Sequence, residues 1–237
     1  MSLIDTITRT VFVKPHPAGY PFIGGGLAAS IIFLLIWEPL GILGLIATAF
    51  VYYFFRDPVR VVPQKEGLVV APADGRVIAV QSDQSLPDDL ADEDDSNSYT
   101  KISIFLSVLD PHVNRIPIAG EIIQTFYYEG EFFNAELDKA SELNERASAL
   151  IKTGDGKLIG FSQIAGLVAR RIVNDLEVGK KYETGERYGL IRFGSRADIY
   201  LPKGANALVS IGQRTIAGET VLADITSKEE TRLGKAI

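Results

Sequence analysis

Three short polar stretches of this sequence contain the residue types that proton transfer and nucleophilic chemistry require. Asp74 lies in Ala-Pro-Ala-Asp-Gly-Arg, His112 in Leu-Asp-Pro-His-Val-Asn-Arg, and Ser195 in Arg-Phe-Gly-Ser-Arg. His112 is one of only 2 histidines, and imidazole is suited to proton transfer near neutral pH. Taken singly, an Asp-Gly pair is typical of a hairpin turn, a lone histidine of a structural residue, and a Gly-Ser pair of a turn or bulge.

Two kinds of chemistry follow from a serine, a histidine and an aspartate. As a nucleophilic triad they would make a serine hydrolase, since triads are defined by geometry and not by chain order. Ser195, however, does not lie in a Gly-x-Ser-x-Gly elbow. Alternatively, the Ser195 hydroxyl attacks the Gly194 carbonyl, an ester replaces the amide, and β-elimination cuts the chain to leave a pyruvoyl group. That route requires a base, an oxyanion donor and a strained Gly-Ser peptide, and Gly194 permits the strain.

The composition excludes several other functions. The net charge of −6, from 24 Lys+Arg and 30 Asp+Glu, argues against a nucleic-acid partner, because phosphate binding needs a basic face. The sequence has no cysteine, which excludes disulfides, thiolate catalysis and cysteine-bound metals. Two histidines are too few for an imidazole metal site. The acidic run at residues 83–95 lacks calcium-loop spacing, so we predict a surface loop there and no metal site.

The elements that must position these residues are mainly β-strands. Beyond residue 59, the apolar runs are short, β-branched and punctuated by Gly, Pro and Asp, which indicates a barrel or sandwich. One helix is predicted in this part of the chain, at residues 135–146, where apolar residues recur at helical spacing. Strands are predicted at residues 68–71, 76–80, 101–108, 121–128, 150–153, 158–164, 167–172, 187–193, 197–201, 207–211 and 220–225.

The N-terminal region is apolar over residues 22–55 except at Glu38. Glu38-Pro39 divides this run into two halves, each short for a membrane crossing of about 20 residues. A helical hairpin that enters the bilayer fits, and so does one kinked span; a buried soluble helical pair is the remaining alternative. Positive charge on both flanks, at Lys14 and Arg56, favours a hairpin with both ends in the cytoplasm.

The predicted fold class is therefore mainly β, with a barrel-like or sandwich-like catalytic body of many short strands and an N-terminal apolar helical hairpin. Two regions are predicted: a membrane-associating segment over residues 1–58 and a β-rich catalytic domain over residues 59–237. The predicted location is the cell membrane, with the catalytic domain on the cytoplasmic face. These patterns are compatible with a homo-oligomer.

Six short motifs follow one another between about residue 56 and residue 202, and their ordered set resembles the phosphatidylserine decarboxylase family in its short prokaryotic form. Each motif is weak alone, whereas the ordered set is highly specific. The motifs are Pro-Ala-Asp-Gly at 72–75, Pro-His-Val-Asn-Arg at 111–115, Gly-Glu-Phe-Phe-Asn-Ala at 130–135, Asn-Glu-Arg at 144–146, Gln-Ile-Ala-Gly at 163–166 and Phe-Gly-Ser at 193–195.

The resemblance implies a proenzyme that cuts itself between Gly194 and Ser195. A β chain of residues 1–194 and an α chain of residues 195–237 would stay together as a heterodimer, and Ser195 would become a covalent pyruvoyl cofactor. That group would form a Schiff base with the amine of phosphatidylserine and accept electrons as CO₂ leaves, which gives phosphatidylethanolamine. The substrate partner would be the lipid in the membrane, and no external cofactor would be needed.

The resemblance also implies roles for three further residues. His112 would be the acid/base for decarboxylation, and Asp74 would orient or charge-tune a catalytic partner during self-cleavage. Longer members of the family carry a second histidine three residues after the first, where this chain has Arg115. Because arginine is not a base at neutral pH, either His112 serves both steps or water with Asp74 does. Arg115 would instead bind the substrate's carboxylate or phosphate, or form a structural salt bridge.

Overall fold

The computed structural model of the protein describes residues 13–90, 98–130, 144–166, 171–192, 194–227, 229–232 and 234–235. The chain forms two compact units, which we call the hairpin unit and the sheet unit. The hairpin unit comprises Met1–Val59 and Val108–Val113, and the sheet unit comprises Arg60–Ser107 and Asn114–Ile237. The short segment that carries His112 thus belongs to the same unit as the apolar N-terminal region.

Two antiparallel helices of equal length make up most of the hairpin unit. A 3₁₀ turn at Pro17–Gly19 leads into α1 (Tyr20–Ile36), and α2 (Glu38–Phe54) follows after a single residue. That residue, Trp37, has extended backbone angles, and the proline in the first turn of α2 suits a helix start because its missing N–H has no helical partner there. The predicted break at Glu38-Pro39 is therefore confirmed.

Small residues let the two helices approach closely. A Cβ atom added at Gly26 would lie 2.8 Å from Thr48 Oγ1, and one added at Gly44 would lie 2.6 Å from Ser30 Oγ. The two hydroxyls donate to carbonyls of their own helices, Ser30 to Gly26 at 2.6 Å and Thr48 to Gly44 at 2.8 Å. Close packing through small residues with internally satisfied hydroxyls is the pattern of helix pairs in lipid.

The entry and exit of the hairpin are hydrogen-bonded to each other. His16 N donates to Phe55 O at 2.7 Å, and Asp57 N donates to Lys14 O at 3.2 Å. This pairing selects the hairpin over a single kinked span, whose two ends would lie far apart.

The outer surface of the helices is apolar and exposed, with Leu35 at 84% and Ile46 at 62% exposure. Together, the 3₁₀ turn and α1 form a stretch, Pro17–Ile36, of 20 residues that is long and apolar enough to cross a membrane, whereas α2 alone has 17 residues. Exposed apolar surface on this scale is typical of a membrane-contacting element and not of a buried soluble helical pair.

Among its described residues, the sheet unit contains three β-sheets. The largest has eight strands in the order β12-β2-β3-β11-β7-β6-β5-β9 and curls into a half-barrel, a three-stranded sheet has the order β4-β10-β8, and β1 pairs with β13. The strands are β1 Leu68–Val70, β2 Gly75–Gln84, β3 Tyr99–Leu106, β4 Val113–Arg115, β5 Gly120–Tyr128, β6 Arg146–Lys152, β7 Leu158–Ala165, β8 Ile172–Asn174, β9 Lys181–Tyr182, β10 Arg187–Ile191, β11 Ser195–Leu201, β12 Arg214–Thr215 and β13 Val221–Asp224.

Side chains from all three sheets share one hydrophobic core. Ile104 and Ile199 of the eight-stranded sheet, Tyr188 of the three-stranded sheet and Leu222 of the two-stranded sheet belong to the same buried cluster. Alternate residues of the long strands face this cluster, as the period of two in a strand requires. The predicted mainly β, barrel-like or sandwich-like body is confirmed.

Three predicted elements need separate comment. Residues 207–211 are not a strand: Ala207 and Val209 are buried, but apolar burial there is not accompanied by a strand ladder. Of the predicted helix at 135–146 the structure describes only residues 144–146, the last of which begins β6. Of the predicted strand at 167–172, residues 167–170 also lie outside the described residues.

Candidate active site

Ser195 is the first residue of β11, which lies in the middle of the eight-stranded sheet. It pairs on one side with Leu106, the last residue of β3, and on the other with Ala165, the last residue of β7. Its backbone is therefore held between the ends of two neighbouring strands. The sequence predicts a strand from residue 197, and the structure extends that strand back to Ser195.

The Ser195 hydroxyl is fully buried, and no described residue gives it a hydrogen-bond partner. Burying an unpaired hydroxyl costs about 1–3 kcal/mol, so such a group calls for an explanation. The preceding residue, Gly194, has φ +69°, in the left-handed region that favours glycine. The motif thus combines an unsatisfied nucleophile with a backbone conformation that other residues adopt only under strain.

Asp74 lies immediately before β2, at the same end of the sheet as Ser195. Arg76 of β2 opposes Phe105 of β3, and Ser195 opposes Leu106, the next residue along β3. Because β2 and β11 flank β3, their backbones are about 10 Å apart, twice the usual strand spacing. Asp74 and Ser195 thus precede or begin strands that are separated by β3 alone.

The Asp74 carboxylate has a partner that the sequence does not predict. Arg60 Nη2 donates to both of its oxygens, at 2.7 and 2.8 Å, and Ala217 N lies 3.4 Å from Oδ2. Both side chains are largely buried, with exposures of 13% for Arg60 and 8% for Asp74. The ion pair holds the Asp74 carboxylate in place at this end of the sheet.

Arg115 is buried at the end of β4. Its Nη1 donates to Gly185 O at 3.0 Å, and its backbone N donates to Pro72 O at 2.9 Å. A Cβ atom on Gly218 would lie 3.1 Å from Arg115 Cδ, so the arginine stem is also tightly packed. These contacts pack Arg115 against the loops that contain Pro72, Gly185 and Gly218.

His112 lies in the hairpin unit, in the segment Val108–Val113, and is 1% exposed. Its Nδ1 is 2.7 Å from Asp110 O, and since a carbonyl only accepts, we assign the proton to Nδ1 and the lone pair to Nε2. Burial lowers the pKa of His112 from 6.5 to about 4; the Arg56 charge acts in the same direction, and the contact with Asp110 opposes it. The ring is therefore neutral at pH 7 and able to accept a proton at Nε2.

Several buried polar contacts around Ser195 escape sequence reasoning. Asn144 Nδ2 donates to Ala165 O at 2.7 Å, and Ala165 N donates to Glu145 O at 2.9 Å, so two of the sequence motifs meet at the residue that opposes Ser195. Two residues before Ala165 in β7, Gln163 Nε2 donates to Asn114 Oδ1 at 2.9 Å, so two further motifs are joined by side-chain amides. The motifs contain these residues, but nothing in the sequence pairs them.

A buried ion pair lies directly after Ser195. Arg196 donates to Asp198 from Nε at 2.6 Å and from Nη2 at 2.9 Å, and Nη2 also donates to Ser103 Oγ at 2.9 Å. Residues i and i+2 of a strand share one face, so their opposite charges are a signal that the sequence does offer. The motif at residues 130–135 lies, apart from Gly130, outside the described residues, as does residue 193.

Comparison with known proteins agrees with the motifs. A family model described as phosphatidylserine decarboxylase matches residues 47–223. The phosphatidylserine decarboxylase proenzyme of Cereibacter sphaeroides is 50% identical over 228 residues, which cover 96% of this chain and 97% of the relative. That of Nitrobacter winogradskyi is 55% identical over 209 residues, 88% of this chain and 83% of the relative, and that of Ruegeria pomeroyi is 53% identical over 218 residues, 92% and 98%.

The matched region contains each of the five residues singled out from the sequence, from Asp74 to Ser195. The family model matches most of the chain, and the three relatives are 50–55% identical over 83–98% of their own length. Both findings identify the same family. The chain belongs to the phosphatidylserine decarboxylase family, and it is therefore a decarboxylase by descent, as the sequence predicts.

Proposed function

We propose that this protein decarboxylates phosphatidylserine to phosphatidylethanolamine and CO₂, with a pyruvoyl group that it makes from Ser195 by cutting its own chain after Gly194. The observation that carries the proposal is the buried Ser195 hydroxyl, unpaired among the described residues, next to a left-handed glycine. The names of the relatives supply the substrate and the proenzyme state.

Self-cleavage begins with attack of Ser195 Oγ on the Gly194 carbonyl carbon. The hydroxyl proton goes to a base, the amide nitrogen leaves as an amine, and an ester joins the two residues. Loss of the Ser195 α-proton then breaks the Cβ–O bond, which releases Gly194 as a carboxylate and leaves a dehydroalanine. Water converts this residue to a pyruvoyl group and ammonia. A hydroxyl with no hydrogen-bond partner among the described residues is available for the first step, and glycine allows the left-handed backbone that precedes it.

The residues around Ser195 fit the group that would form there. Conversion removes the hydroxyl that lacks a partner among the described residues and puts a ketone oxygen in place of the Ser195 amide nitrogen, while the rest of β11 would stay paired with β3 and β7. When present, the pyruvoyl group supplies a carbonyl that takes up the substrate amine and the electron pair released with CO₂. It needs no other cofactor to do so.

We assign proton transfer to His112 and an electrostatic role to Asp74. Neutral His112, with its proton on Nδ1, presents Nε2 as the acceptor, which suits the base that self-cleavage needs. Asp74, fixed by Arg60, would orient or charge-tune a catalytic partner during self-cleavage. For Arg115 the contacts favour support of the β4 backbone over recognition of the substrate's carboxylate.

The two products of the cut would stay together as a heterodimer. The α chain, residues 195–237, would contain β11, β12 and β13. These strands pair with β3, β7, β2 and β1, all of which lie in the β chain of residues 1–194. Separation would break ladders in two sheets and expose the shared core.

Because the substrate is a membrane lipid, the hairpin would serve to hold the catalytic domain at the membrane. With both ends of the hairpin on one side of the membrane, the catalytic domain of residues 59–237 would lie at the inner leaflet, on the cytoplasmic face, where positive flanks favour retention. The headgroup of phosphatidylserine would then be presented to the enzyme without leaving the bilayer.

Intact-mass analysis of the purified protein tests this function. We expect two polypeptides, residues 1–194 and a second chain lighter by one ammonia than the peptide 195–237. An active preparation that contains only the uncut chain would refute the proposal. An uncut chain labelled at Ser195 by a phosphonylating probe would instead support a serine hydrolase.

Gly194→Ala is expected to slow self-cleavage about tenfold. A left-handed conformation costs an alanine about 1–2 kcal/mol, so the variant will turn the Gly194 carbonyl away from Ser195 Oγ, and 1.4 kcal/mol corresponds to a factor of ten in rate. Space is not the obstacle, since no described atom lies within 4 Å of the added Cβ. The measurement is the fraction of cut chain against time.

Gly204→Ala is the matched control for this substitution. Gly204 has φ +88°, and again no described atom lies within 4 Å of an added Cβ. It should lose a similar amount of stability and cut at the wild-type rate. Equal rates in the two variants would show that the Gly194 conformation is irrelevant to cleavage.

A further inference from the structure

The C-terminal end of α2 packs on the segment that carries His112. Phe54, the last residue of α2, is fully buried, and its ring centroid lies 4.3 Å from that of His112 with 35° between the planes. Phe54 also meets Phe55 edge to face at 5.1 Å, and Phe55 stacks on Phe22 of α1 at 5.7 Å. A continuous row of rings therefore connects both helices to His112.

A buried arginine makes a second connection between the hairpin and this segment. Arg56 Nη2 donates to Leu109 O at 2.7 Å, and Nη1 donates to Tyr53 O at 2.7 Å. The guanidinium carbon lies 3.7 Å from the centre of the Tyr53 ring, although the whole residue is only 6% exposed. A charged donor on a carbonyl makes a stronger bond than a neutral one, so this contact ties the His112 segment to the end of α2.

We infer that Phe54 and Arg56, at the base of the hairpin, are positioning residues for His112, so that the hairpin is part of the catalytic machinery as well as the means of membrane association. The inference rests on the proposed function for the role of His112. Neither residue touches the substrate in this scheme; both act through the orientation and surroundings of the imidazole. A hairpin that served only as an anchor would need neither the stacked ring nor the buried cation.

The surroundings of His112 predict the direction in which its pKa should change when Phe54 or Arg56 is replaced. Among the described residues, two charges act on the pKa of His112: Arg56, which follows α2, and Asp110, from the segment of His112 itself. Burial is the largest cause of the lowered pKa of His112, about 4, and Arg56 lowers it further. Removal of the Phe54 ring would admit water, and removal of the Arg56 charge would remove a repulsion, so both changes favour the protonated ring.

The experiment is an NMR titration of the full-length protein in lipid nanodiscs, expressed without a polyhistidine tag. The chain has only 2 histidines, and a parallel His16→Asn sample assigns their imidazole signals. We expect His112 to titrate at about 4 in the wild type. Phe54→Ala should bring its pKa toward the ordinary 6.5, an increase in proton affinity of about tenfold or more, because burial is the largest cause of the shift. Arg56→Gln should raise the pKa of His112 by less, because the Arg56 charge is the smallest of its causes.

Phe50→Ala is the matched control, since it removes the same ring one turn earlier in α2, where Phe50 is 40% exposed. It should leave the titration of His112 unchanged. The inference is overturned if His112 titrates at its wild-type pKa in folded Phe54→Ala and Arg56→Gln, and Arg56→Gln decides alone if Phe54→Ala does not fold. Failure of the proposed function shows separately, as an uncut chain by intact mass, because the titration is read from the ring itself.

Discussion

Ser195→Ala is expected to give one uncut chain with no decarboxylase activity and with a stability equal to or above that of the wild-type proenzyme. The substitution removes the nucleophile for cleavage and the precursor of the pyruvoyl group together. It removes no hydrogen bond seen among the described residues, because Ser195 Oγ is buried without a partner there. An unpaired buried hydroxyl costs about 1–3 kcal/mol, so its loss should raise the free energy of unfolding by up to about that amount.

Intact mass, decarboxylation of phosphatidylserine vesicles and thermal unfolding of the same preparation measure this result. Ser162→Ala is the matched control: it is a buried serine of β7, and its hydroxyl lies 2.9 Å from that of Ser148. That variant should be cut normally and lose about 1 kcal/mol of stability. A Ser195→Ala chain that is cut, or that keeps activity, would contradict the mechanism.

The hairpin shows how far a sequence pattern reaches. A proline within an apolar run is a local signal, because the ring removes a backbone donor, and it placed the break within one residue of Trp37. The close contacts between the two helices, at Gly26, Ser30, Gly44 and Thr48, cannot be predicted in this way, because small residues form such contacts only if a second helix lies against them. The packing of Phe54 on His112 joins residues more than fifty positions apart, and no local pattern predicts it.

In the sheet unit too, local sequence predicts the strands and the motifs, whereas the partners of their side chains depend on contacts between distant residues. Strand period and turn residues predict most strands of the body, whereas the apolar run at 207–211 indicates burial and the predicted strand there is wrong. The motifs brought Asp74, His112 and Ser195 to attention, but the Arg60 partner of Asp74 depends on how two loops meet in the fold. The unpaired state of the Ser195 hydroxyl likewise follows from the packing around it.

Asp198→Ala is expected to lower the free energy of unfolding of the proenzyme by about 3–5 kcal/mol, because it leaves a buried guanidinium without its carboxylate. Arg196 and Asp198 are 1% and 0% exposed and bonded through two parallel hydrogen bonds. Denaturant unfolding of the Ser195→Ala background measures the loss on a single uncut chain. Asp155→Ala is the control, since its ion pair with Lys157 is about half exposed and should be worth less than about 1 kcal/mol. Equal losses in the two variants would contradict the argument.

The double variant Arg196→Met/Asp198→Leu separates folding from chemistry at the start of β11. Replacement of both charges by apolar side chains leaves no buried charge unpaired, so most of the stability lost in Asp198→Ala should return. Successive side chains of a strand point to opposite faces, which places Ser195 on the face opposite to Arg196 and Asp198. We therefore expect the double variant, with Ser195 present, to cut itself at the wild-type rate, because the ion pair holds the strand and does not touch the nucleophile. A stable double variant that stays uncut would instead make Arg196 and Asp198 positioning residues for the Gly194–Ser195 peptide, and would place the preorganisation for cleavage on both faces of β11.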